Sequence, residues 1–134
     1  MTTPRLIPHV HRATHRIGLH IEQFREPAVN QAEAHVLVFL ASADRPTIGE
    51  VHRAFGHKRS TLTSILDRLE RRKLVRRASD TRDRRAFRVT LTPSGRQAAR
   101  RITAYLRAFE IARLRGIPAG DVRAFLRVLE RLAE

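Results

Sequence analysis

Residues 47–72 constrain the fold more than any other part of this 134-residue sequence, because they specify two short helices and a tight turn. Thr47 and Glu50 have the Thr-x-x-Glu spacing of a capping box at a helix N-terminus, and Gly56 stands where a helix C-cap is expected. The next helix has the apolar stripe of a core-facing helix, formed by Leu62, Ile65, Leu66 and Leu69. The segment therefore predicts a helix-turn-helix.

Two strand-like runs follow at residues 74–78 and 87–92, with a polar loop between them. In the second run, Phe87, Val89 and Leu91 alternate with polar side chains, which predicts a strand with one buried face. Helix, turn, helix and hairpin in this order are typical of a winged helix-turn-helix. We therefore expect a mainly α protein with a small two-stranded β-wing.

Four more helices flank this segment, as judged from apolar periodicity and from the positions of proline and glycine. Pro27 is expected to stop the first helix, and the apolar run 36–41 predicts that the second lies in the centre of the core. For the third of these flanking helices, Thr92 is the expected N-cap and Pro93 is the expected first residue. The four helices cover about residues 5–26, 30–42, 93–115 and 119–133.

The positive charge is concentrated in the same central segment. The chain holds 27 Lys and Arg residues against 13 Asp and Glu residues, which gives a formal net charge of +14. Residues 50–88 alone carry 13 of the basic residues and five of the acidic ones. Such a basic footprint predicts a polyanionic partner. The alternative is a generally basic protein whose arginines are solvated.

The second helix of the motif is expected to enter the major groove of double-stranded DNA, whose width accepts one helix. Its short hydroxyl side chains let the backbone approach base edges, and its basic residues can neutralise phosphates. The alternative is a two-helix packing motif with a solvated basic face. The candidate DNA-binding residues of this helix are Lys58, Arg59, Ser60, Thr61, Thr63, Ser64 and Arg68.

Four stretches of the sequence resemble the recognition helix, first wing strand, wing tip and second wing strand of the MarR family of transcriptional regulators. They are Thr-Leu-Thr-Ser-Ile-Leu-Asp-Arg-Leu-Glu at 61–70, Leu-Val-Arg-Arg at 74–77, Asp-Thr-Arg-Asp-Arg-Arg at 80–85 and Val-Thr-Leu-Thr-Pro-Ser-Gly at 89–95. One departure is Lys73, since the family usually has glycine there. A left-handed helix end is less favourable without glycine, so we expect the recognition helix to end about a residue away.

The resemblance implies a role for each charged residue of the wing tip. Arg85 aligns with the family's wing-tip arginine, which suits a narrow minor groove because that groove concentrates negative potential. Asp83 is expected to orient the Arg85 guanidinium through charge-assisted hydrogen bonds, and Arg82 and Arg84 are expected to contact phosphates. The alternative is an exposed Asp83–Arg85 ion pair that only stiffens the hairpin.

The last predicted helix has an apolar stripe with little chain left to cover it, and an exposed stripe of that length is a partner site. The order of the flanking helices also resembles the MarR arrangement, in which the terminal helices form the dimer. We expect one protomer over residues 1–134, with a DNA-binding lobe at about 30–92 and dimerisation helices at about 5–26 and 93–134. The candidate interface residues are Leu6, Val10, Val122, Phe125, Leu129 and Leu132.

Together these features predict a sequence-specific transcriptional regulator, with a repressor as the expected type, that binds double-stranded DNA as a homodimer. A two-fold protein requires a pseudo-palindromic operator, with recognition helices about 34 Å apart. The resemblance adds an expected small-molecule effector between the dimer helices and the DNA-binding lobe. The alternative is a sequence-independent architectural DNA-binding or RNA-binding protein. The aromatic residues argue against RNA, because nearly all of them fall on apolar stripes.

The sequence also argues against several other classes. It contains no cysteine and no phosphate-loop or hydrolase motif, so we expect neither an enzyme nor a cofactor. No apolar run approaches the ~18 residues of a membrane span, which favours a cytoplasmic protein without membrane contact. His11 and His15 have the spacing of a zinc pair, with His9 and His20 nearby, but we expect solvated or interface histidines.

Overall fold

The computed structural model describes residues 3–83 and 85–134, which form six helices and one two-stranded antiparallel sheet. The helices are α1 (Ile7–Glu22), α2 (Gln31–Ser42), α3 (Ile48–Phe55), α4 (Arg59–Arg71), α5 (Pro93–Arg113) and α6 (Ala119–Leu132), and the strands are β1 (Val75–Ser79) and β2 (Phe87–Leu91). Helix, turn, helix and hairpin follow in the predicted order, so the winged helix-turn-helix is confirmed. Within the described ranges, no helix is long and apolar enough to cross a bilayer.

The core is built around α2, which packs against α1, α4, α5 and β2. This helix begins at a complete capping box. The Asn30 side chain accepts the Glu33 N–H at 2.8 Å, and the Glu33 carboxylate accepts the Asn30 N–H at 3.0 Å. Ala34, Val36 and Leu37 are fully buried. The predicted central position of α2 is therefore confirmed.

The helix-turn-helix forms through the predicted cap and turn. Thr47 Oγ1 accepts the Glu50 N–H at 3.1 Å, and this bond opens α3. It is one half of the predicted capping box, and the described hydrogen bonds do not include the return bond to the Glu50 side chain. Gly56 takes a left-handed conformation (φ 64°), which ends α3 and turns the chain toward α4. Burial of the apolar stripe of α4 decides which face of the helix points outward. Every member of the predicted stripe is buried: Leu62, Ile65, Leu66 and Leu69.

The wing pairs in register from Val75 opposite Leu91 to Ser79 opposite Phe87. Its base belongs to the core, where Val75, Val89 and Leu91 are buried. The prediction that Phe87 shares this burial is wrong, since 46% of Phe87 is exposed. The reason is position, because Phe87 lies at the tip end of β2, where the hairpin extends past the core.

The second edge of β2 is held by the segment that opens α3. Thr47 forms an isolated antiparallel bridge with Arg88, and the Val89 N–H donates to the Pro46 carbonyl at 2.9 Å. The strand is therefore hydrogen-bonded on both sides, to β1 and to the start of the helix-turn-helix. This double attachment links the wing to the helix-turn-helix.

The N-terminus of α5 is locked onto the junction between α4 and β1. Thr92 Oγ1 accepts the Gly95 N–H at 2.9 Å, which confirms the predicted cap, and donates to the Lys73 carbonyl at 2.6 Å. A Cβ at Gly95 would overlap the Leu74 carbonyl oxygen. Such a close approach of two backbones requires glycine.

The terminal helices leave apolar side chains open to solvent. Ile21 is the buried residue of α1, and of the residues described in α6 none is buried. Phe125 and Leu132 are each 47% exposed. Both helices therefore present amphipathic faces that the described part of the chain does not cover.

The end of α1 differs from the prediction. The helix stops at Glu22, because Arg25 and Ala28 pair in a turn around Pro27, and that pairing requires non-helical backbone. The ends of α5 and α6 agree with the predicted ends to within about two residues, which is the usual uncertainty of a helix boundary.

The recognition helix ends through a left-handed residue although no glycine is present. Lys73 has a φ of 59°, and the Leu74 N–H donates to the Leu69 carbonyl at 2.9 Å. This is a hydrogen bond of the Schellman ending that glycine usually supports. The expected shift of the helix end is therefore wrong. A side chain in this conformation costs about 1 kcal/mol.

We predict that Lys73→Gly raises the free energy of unfolding by about 1 kcal/mol, because glycine takes a positive φ without this strain. Chemical denaturation at equal protein concentration measures the difference. Arg71→Gly is the matched control, since it replaces another exposed basic residue but in helical backbone. It should lower the free energy of unfolding by about 1 kcal/mol. A destabilised Lys73→Gly protein would contradict the assigned strain.

Candidate nucleic-acid interface

The outward face of α4 presents four hydroxyl side chains in its first two turns. All four are exposed, because the apolar stripe holds the opposite face of the helix in the core. They are the predicted base-contacting residues Ser60, Thr61, Thr63 and Ser64. The fold therefore brings them together on one accessible surface of short polar side chains.

The N-terminal end of α4 carries the two predicted phosphate contacts. Lys58 is the N-cap residue and Arg59 is the first helical residue, and both are exposed. Unpaired N–H groups and the positive end of the helix dipole favour an anion at such an end. The basic side chains and the helix dipole therefore act in the same direction, beside the hydroxyl face.

Arg68 lies apart from the hydroxyl face, beside α2. Its Nε is 3.7 Å from a carboxylate oxygen of Glu33, and Nη1 of Arg72 is 3.8 Å from the same oxygen. Only 8% of the Glu33 side chain is exposed, so the two arginines supply the positive charge that a buried carboxylate needs. The predicted DNA contact of Arg68 therefore competes with an ion pair that joins α4 to α2.

Two aspartates fold the wing tip by accepting backbone N–H groups. Asp80 Oδ1 accepts the Arg82 N–H at 3.2 Å, and Asp83 Oδ1 accepts the Arg85 N–H at 3.0 Å. Such Asx turns stabilise a tight loop. Arg82 and Arg85 are exposed, whereas the predicted site residue Arg84 lies outside the described residues.

The structure shows a different contact between Asp83 and Arg85 from the one predicted. The carboxylate of Asp83 binds the backbone of Arg85, and among the described ion pairs none joins their side chains. Two residues of separation in a turn favour this short carboxylate-to-backbone bond. Asp83 therefore acts on Arg85 through the main chain and leaves its guanidinium exposed.

Arg88 is a site residue that sequence reasoning missed. Its Nη2 contacts Asp80 Oδ2 at 3.1 Å, and its Nη1 donates to the Arg45 carbonyl at 2.7 Å. The Arg82 N–H, and after it the Arg88 guanidinium, lower the pKa of Asp80 below its ordinary value. Alternation along β2 signals that Arg88 points away from the buried face, but no local signal identifies a carbonyl 43 residues away.

The histidines of α1 do not gather around a common centre. His20 stacks on Tyr105 with ring centroids 4.4 Å apart and lies 4.3 Å from the Phe109 ring, while His9, His11 and His15 are exposed. The described residues contain no group of three or more potential ligands that could hold a metal ion. Aromatic packing therefore accounts for His20.

An apolar cleft of about 680 Å³ lies between α5 and α6. Three of the predicted interface residues, Val122, Phe125 and Leu129, form its α6 wall. Leu106 and Phe109 belong to the α5 wall, so the later half of α5 lines the cleft. A mainly apolar cleft therefore lies open between the last two helices, with Glu110, Arg113 and Asp121 as the charged residues that line it.

The other predicted interface residues, Leu6, Val10 and Leu132, are not among the residues that line this cleft. Leu6 is 37% exposed, Leu132 lies at the open end of α6, and Val10 is half-buried. His35 of α2 reaches the cleft, and burial lowers its pKa, so its imidazole is neutral at pH 7. The cleft is therefore uncharged on this side.

Comparison with known proteins relates both the sequence and the fold to one family. The sequence model of the MarR family matches residues 29–86, which include α2, the helix-turn-helix, β1 and the wing tip. Among curated proteins, none matches the sequence significantly. The family match therefore covers the candidate interface itself.

Solved structures share the fold over nearly the whole chain. MepR from S. aureus, in a complex with DNA, superposes with a TM-score of 0.84 at 19% identity and covers 98% of each chain. PcaV from Streptomyces coelicolor, in complex with its natural ligand, has a TM-score of 0.81 at 23% identity over 99% of this chain and 97% of that chain. A MarR-family transcriptional regulator from Silicibacter pomeroyi has a TM-score of 0.76 at 29% identity, over 92% of this chain and 84% of that one.

We predict that acid loosens the wing tip through Asp80. Because its pKa is lowered in the fold, the ionised carboxylate stabilises the fold at neutral pH, and this contribution is lost as the pH falls through the lowered pKa. The protection of the Arg82 amide against hydrogen exchange should therefore begin to fall below about pH 5 and should continue to fall below the ordinary Asp pKa of about 3.9.

Asp80→Asn is the matched control, because it keeps an oxygen acceptor and removes the charge. At about pH 6 its Arg82 amide should already be less protected, and acid should change it less. Identical pH profiles in the two proteins would show that Asp80 does not hold the tip.

Proposed function

We propose that this chain, whose residues 29–86 match the sequence model of the MarR family, is a sequence-specific, double-stranded DNA-binding transcriptional regulator of that family. In this proposal it acts as a homodimer on a pseudo-palindromic operator. Members of the family are transcriptional regulators and not enzymes. One observation carries the proposal. The exposed hydroxyl face of α4 and the exposed arginines of the wing tip both belong to the same basic segment of the chain.

In the proposed complex, α4 lies in the major groove, where Thr61 and Ser64 contact base edges and Lys58 and Arg59 neutralise phosphates. The wing reaches the adjacent minor groove, where the negative potential attracts Arg85. The Asx turns hold the tip backbone in one shape, so Arg85 is presented with little loss of entropy on binding. The remaining proposed contacts are Ser60, Thr63, Arg68, Arg82, Asp83 and Arg84.

We further propose that the dimer represses transcription, since a protein that covers its operator blocks access to the same DNA. The proposed location of this activity is the cytoplasm. Release by a small-molecule effector is supported by the cleft between α5 and α6 and by the fold shared with PcaV, whose structure holds its natural ligand. The apolar walls of that cleft favour an effector with a large apolar body.

The proposed dimer joins the terminal helices of two protomers. The DNA-binding lobe then comprises about residues 30–92, and the dimerisation helices comprise about 5–26 and 93–134. Support comes from the open apolar faces of α1 and α6 and from the cleft that α6 leaves uncovered. Contiguous apolar surface of this kind is unfavourable in a monomer in water.

We predict that a duplex selected from a random pool outcompetes a scrambled duplex by about 10³-fold or more at ~0.15 M salt. On these two duplexes, Thr61→Ala and Ser64→Ala should reduce the preference for the selected site, by ~1–3 kcal/mol for each lost base contact. Arg85→Ala should weaken binding to both duplexes by similar factors and lower the salt slope by about one unit per wing. Asp83→Ala should give a smaller loss of the same kind.

Equal competition by the scrambled duplex would favour a sequence-independent architectural or RNA-binding protein instead. If Arg85→Ala left both affinity and salt slope unchanged, the wing would not contact DNA.

We predict that light scattering at micromolar concentration gives a mass of twice 15.4 kDa. Phe125→Glu should shift the protein toward the monomer, because it places a charge in the apolar stripe of α6. Arg127→Glu is the control, since it also introduces a glutamate on α6 but outside that stripe, and it should remain dimeric. A monomeric wild-type protein would exclude this dimer and the operator symmetry that follows from it.

A further inference from the structure

We infer that Arg77 is a positioning residue, which sets the angle of the wing against the recognition helix and so determines sequence specificity without touching DNA. This inference rests on the proposed DNA-binding function. It concerns a cluster of three charged side chains, Arg77 of β1 with Asp67 and Glu70 of α4, which we call the wing brace.

The wing brace is a fork of short charged hydrogen bonds. Arg77 Nη2 donates to Asp67 Oδ1 at 2.7 Å, and Arg77 Nε donates to Glu70 Oε2 at 2.8 Å. A weaker bond runs from Arg77 Nη2 to Glu70 Oε1 at 3.5 Å. A planar guanidinium that binds two carboxylates loses most of its freedom to rotate. The brace therefore defines both a distance and an orientation between β1 and α4.

Protonation equilibria support the same contacts. The hydrogen bond from Arg77 lowers the pKa of Glu70, and the bond to Glu70 together with that to Asp67 raises the pKa of Arg77. Glu70 and Arg77 are therefore both charged at neutral pH. Arg77 lies on the inward side of β1, opposite the buried Val89, which turns its side chain toward α4.

The position of Arg77 along the wing means that a small displacement there becomes a larger displacement at the wing tip. On the β1 side of the wing, the other bonds lie at Lys73 and Leu74, where Thr92 docks, while β2 is held separately by the bonds of Arg88 and Val89 to the carbonyls of Arg45 and Pro46. Arg77 is three residues beyond Leu74, about 10 Å along an extended strand, and Arg82 is roughly twice as far from the same hinge. A loosening of about 1 Å at the brace thus becomes about 2 Å at the tip. Such a displacement is enough to misplace an arginine in a groove.

The brace also masks negative charge on the recognition helix. Asp67 and Glu70 are 44% and 43% exposed on a helix that faces DNA in the proposed complex, and bare carboxylates there would repel phosphates. Since the Arg77 fork is occupied by these groups, Arg77 contributes little to counterion release. Its neighbour Arg76 is exposed and, among the described ion pairs, has no carboxylate partner.

The decisive comparison is Arg77→Gln against the matched control Arg76→Gln, an equal charge change one residue away. We expect Arg77→Gln to reduce the ratio of affinities for the selected and scrambled duplexes by about tenfold, the equivalent of one misplaced base contact. Arg76→Gln should leave this ratio within about twofold of wild type, whatever it does to the absolute affinities. Arg77→Lys should rescue only part of the ratio, because an ammonium lacks the guanidinium fork.

The variant Asp67→Asn/Glu70→Gln/Arg77→Gln separates positioning from charge masking. It should recover affinity for the scrambled duplex, since the unmasked carboxylates are gone, while the ratio stays low because the wing is still loose. Recovery of the full ratio would overturn the positioning role and leave Arg77 as a charge mask. An unchanged ratio in Arg77→Gln would overturn the inference as well.

A measurement without DNA distinguishes failure of the brace from failure of the proposed function. The chain contains no cysteine, so spin labels on Thr63→Cys and Thr81→Cys report the distance from α4 to the wing tip with no background thiol. Labelled protein is diluted with unlabelled chain so that each pair is read within one protomer. The distance distribution should broaden on adding Arg77→Gln and not on adding Arg76→Gln, with thermal unfolding to confirm that both stay folded. Equal distributions would overturn the brace, whereas a broadened distribution with no sequence preference in wild type would overturn the DNA-binding proposal alone.

Discussion

The rest of the structure depends on the backbone contact where α4 ends, β1 begins and α5 docks. Thr92 donates to the Lys73 carbonyl, and Gly95 approaches the Leu74 carbonyl so closely that no side chain fits between them. This one junction thus holds the end of α4, the base of the wing and the start of α5. A motion of α5 relative to the core would act directly on both elements that we propose to contact DNA, which gives a cleft beside α5 a physical route to the proposed interface.

The large positive charge has two separate uses in this fold. Some arginines are bound by carboxylates and hold elements together, as Arg77 does for β1 and α4 and Arg88 does for the wing tip. Others, such as Arg59 and Arg85, stay exposed beside the hydroxyl face and on the tip. Because a guanidinium fork filled by carboxylates releases few counterions, net charge overstates the number of phosphates this protein can neutralise.

Much of the fold could be predicted because its signals are local. The cap at Thr47, the turn at Gly56 and the cap at Thr92 are each decided by bonds within a few residues, and the structure confirms all three. Predictions failed where a residue depends on distant packing or on strain. Phe87 has the right alternation but lies past the core, and Lys73 takes a left-handed conformation without glycine at the junction where Thr92 docks.

The sequence by itself determined the order of the elements and the face of α4 that turns outward, since periodicity and capping operate over a few residues. Only the tertiary structure decided what each charged side chain contacts. Arg88 reaches a carbonyl 43 residues away, and Arg77 of β1 binds two carboxylates of α4. Arginines are alike in a sequence, and whether one binds a carboxylate or stays exposed depends on which elements pack beside it and how much water they exclude.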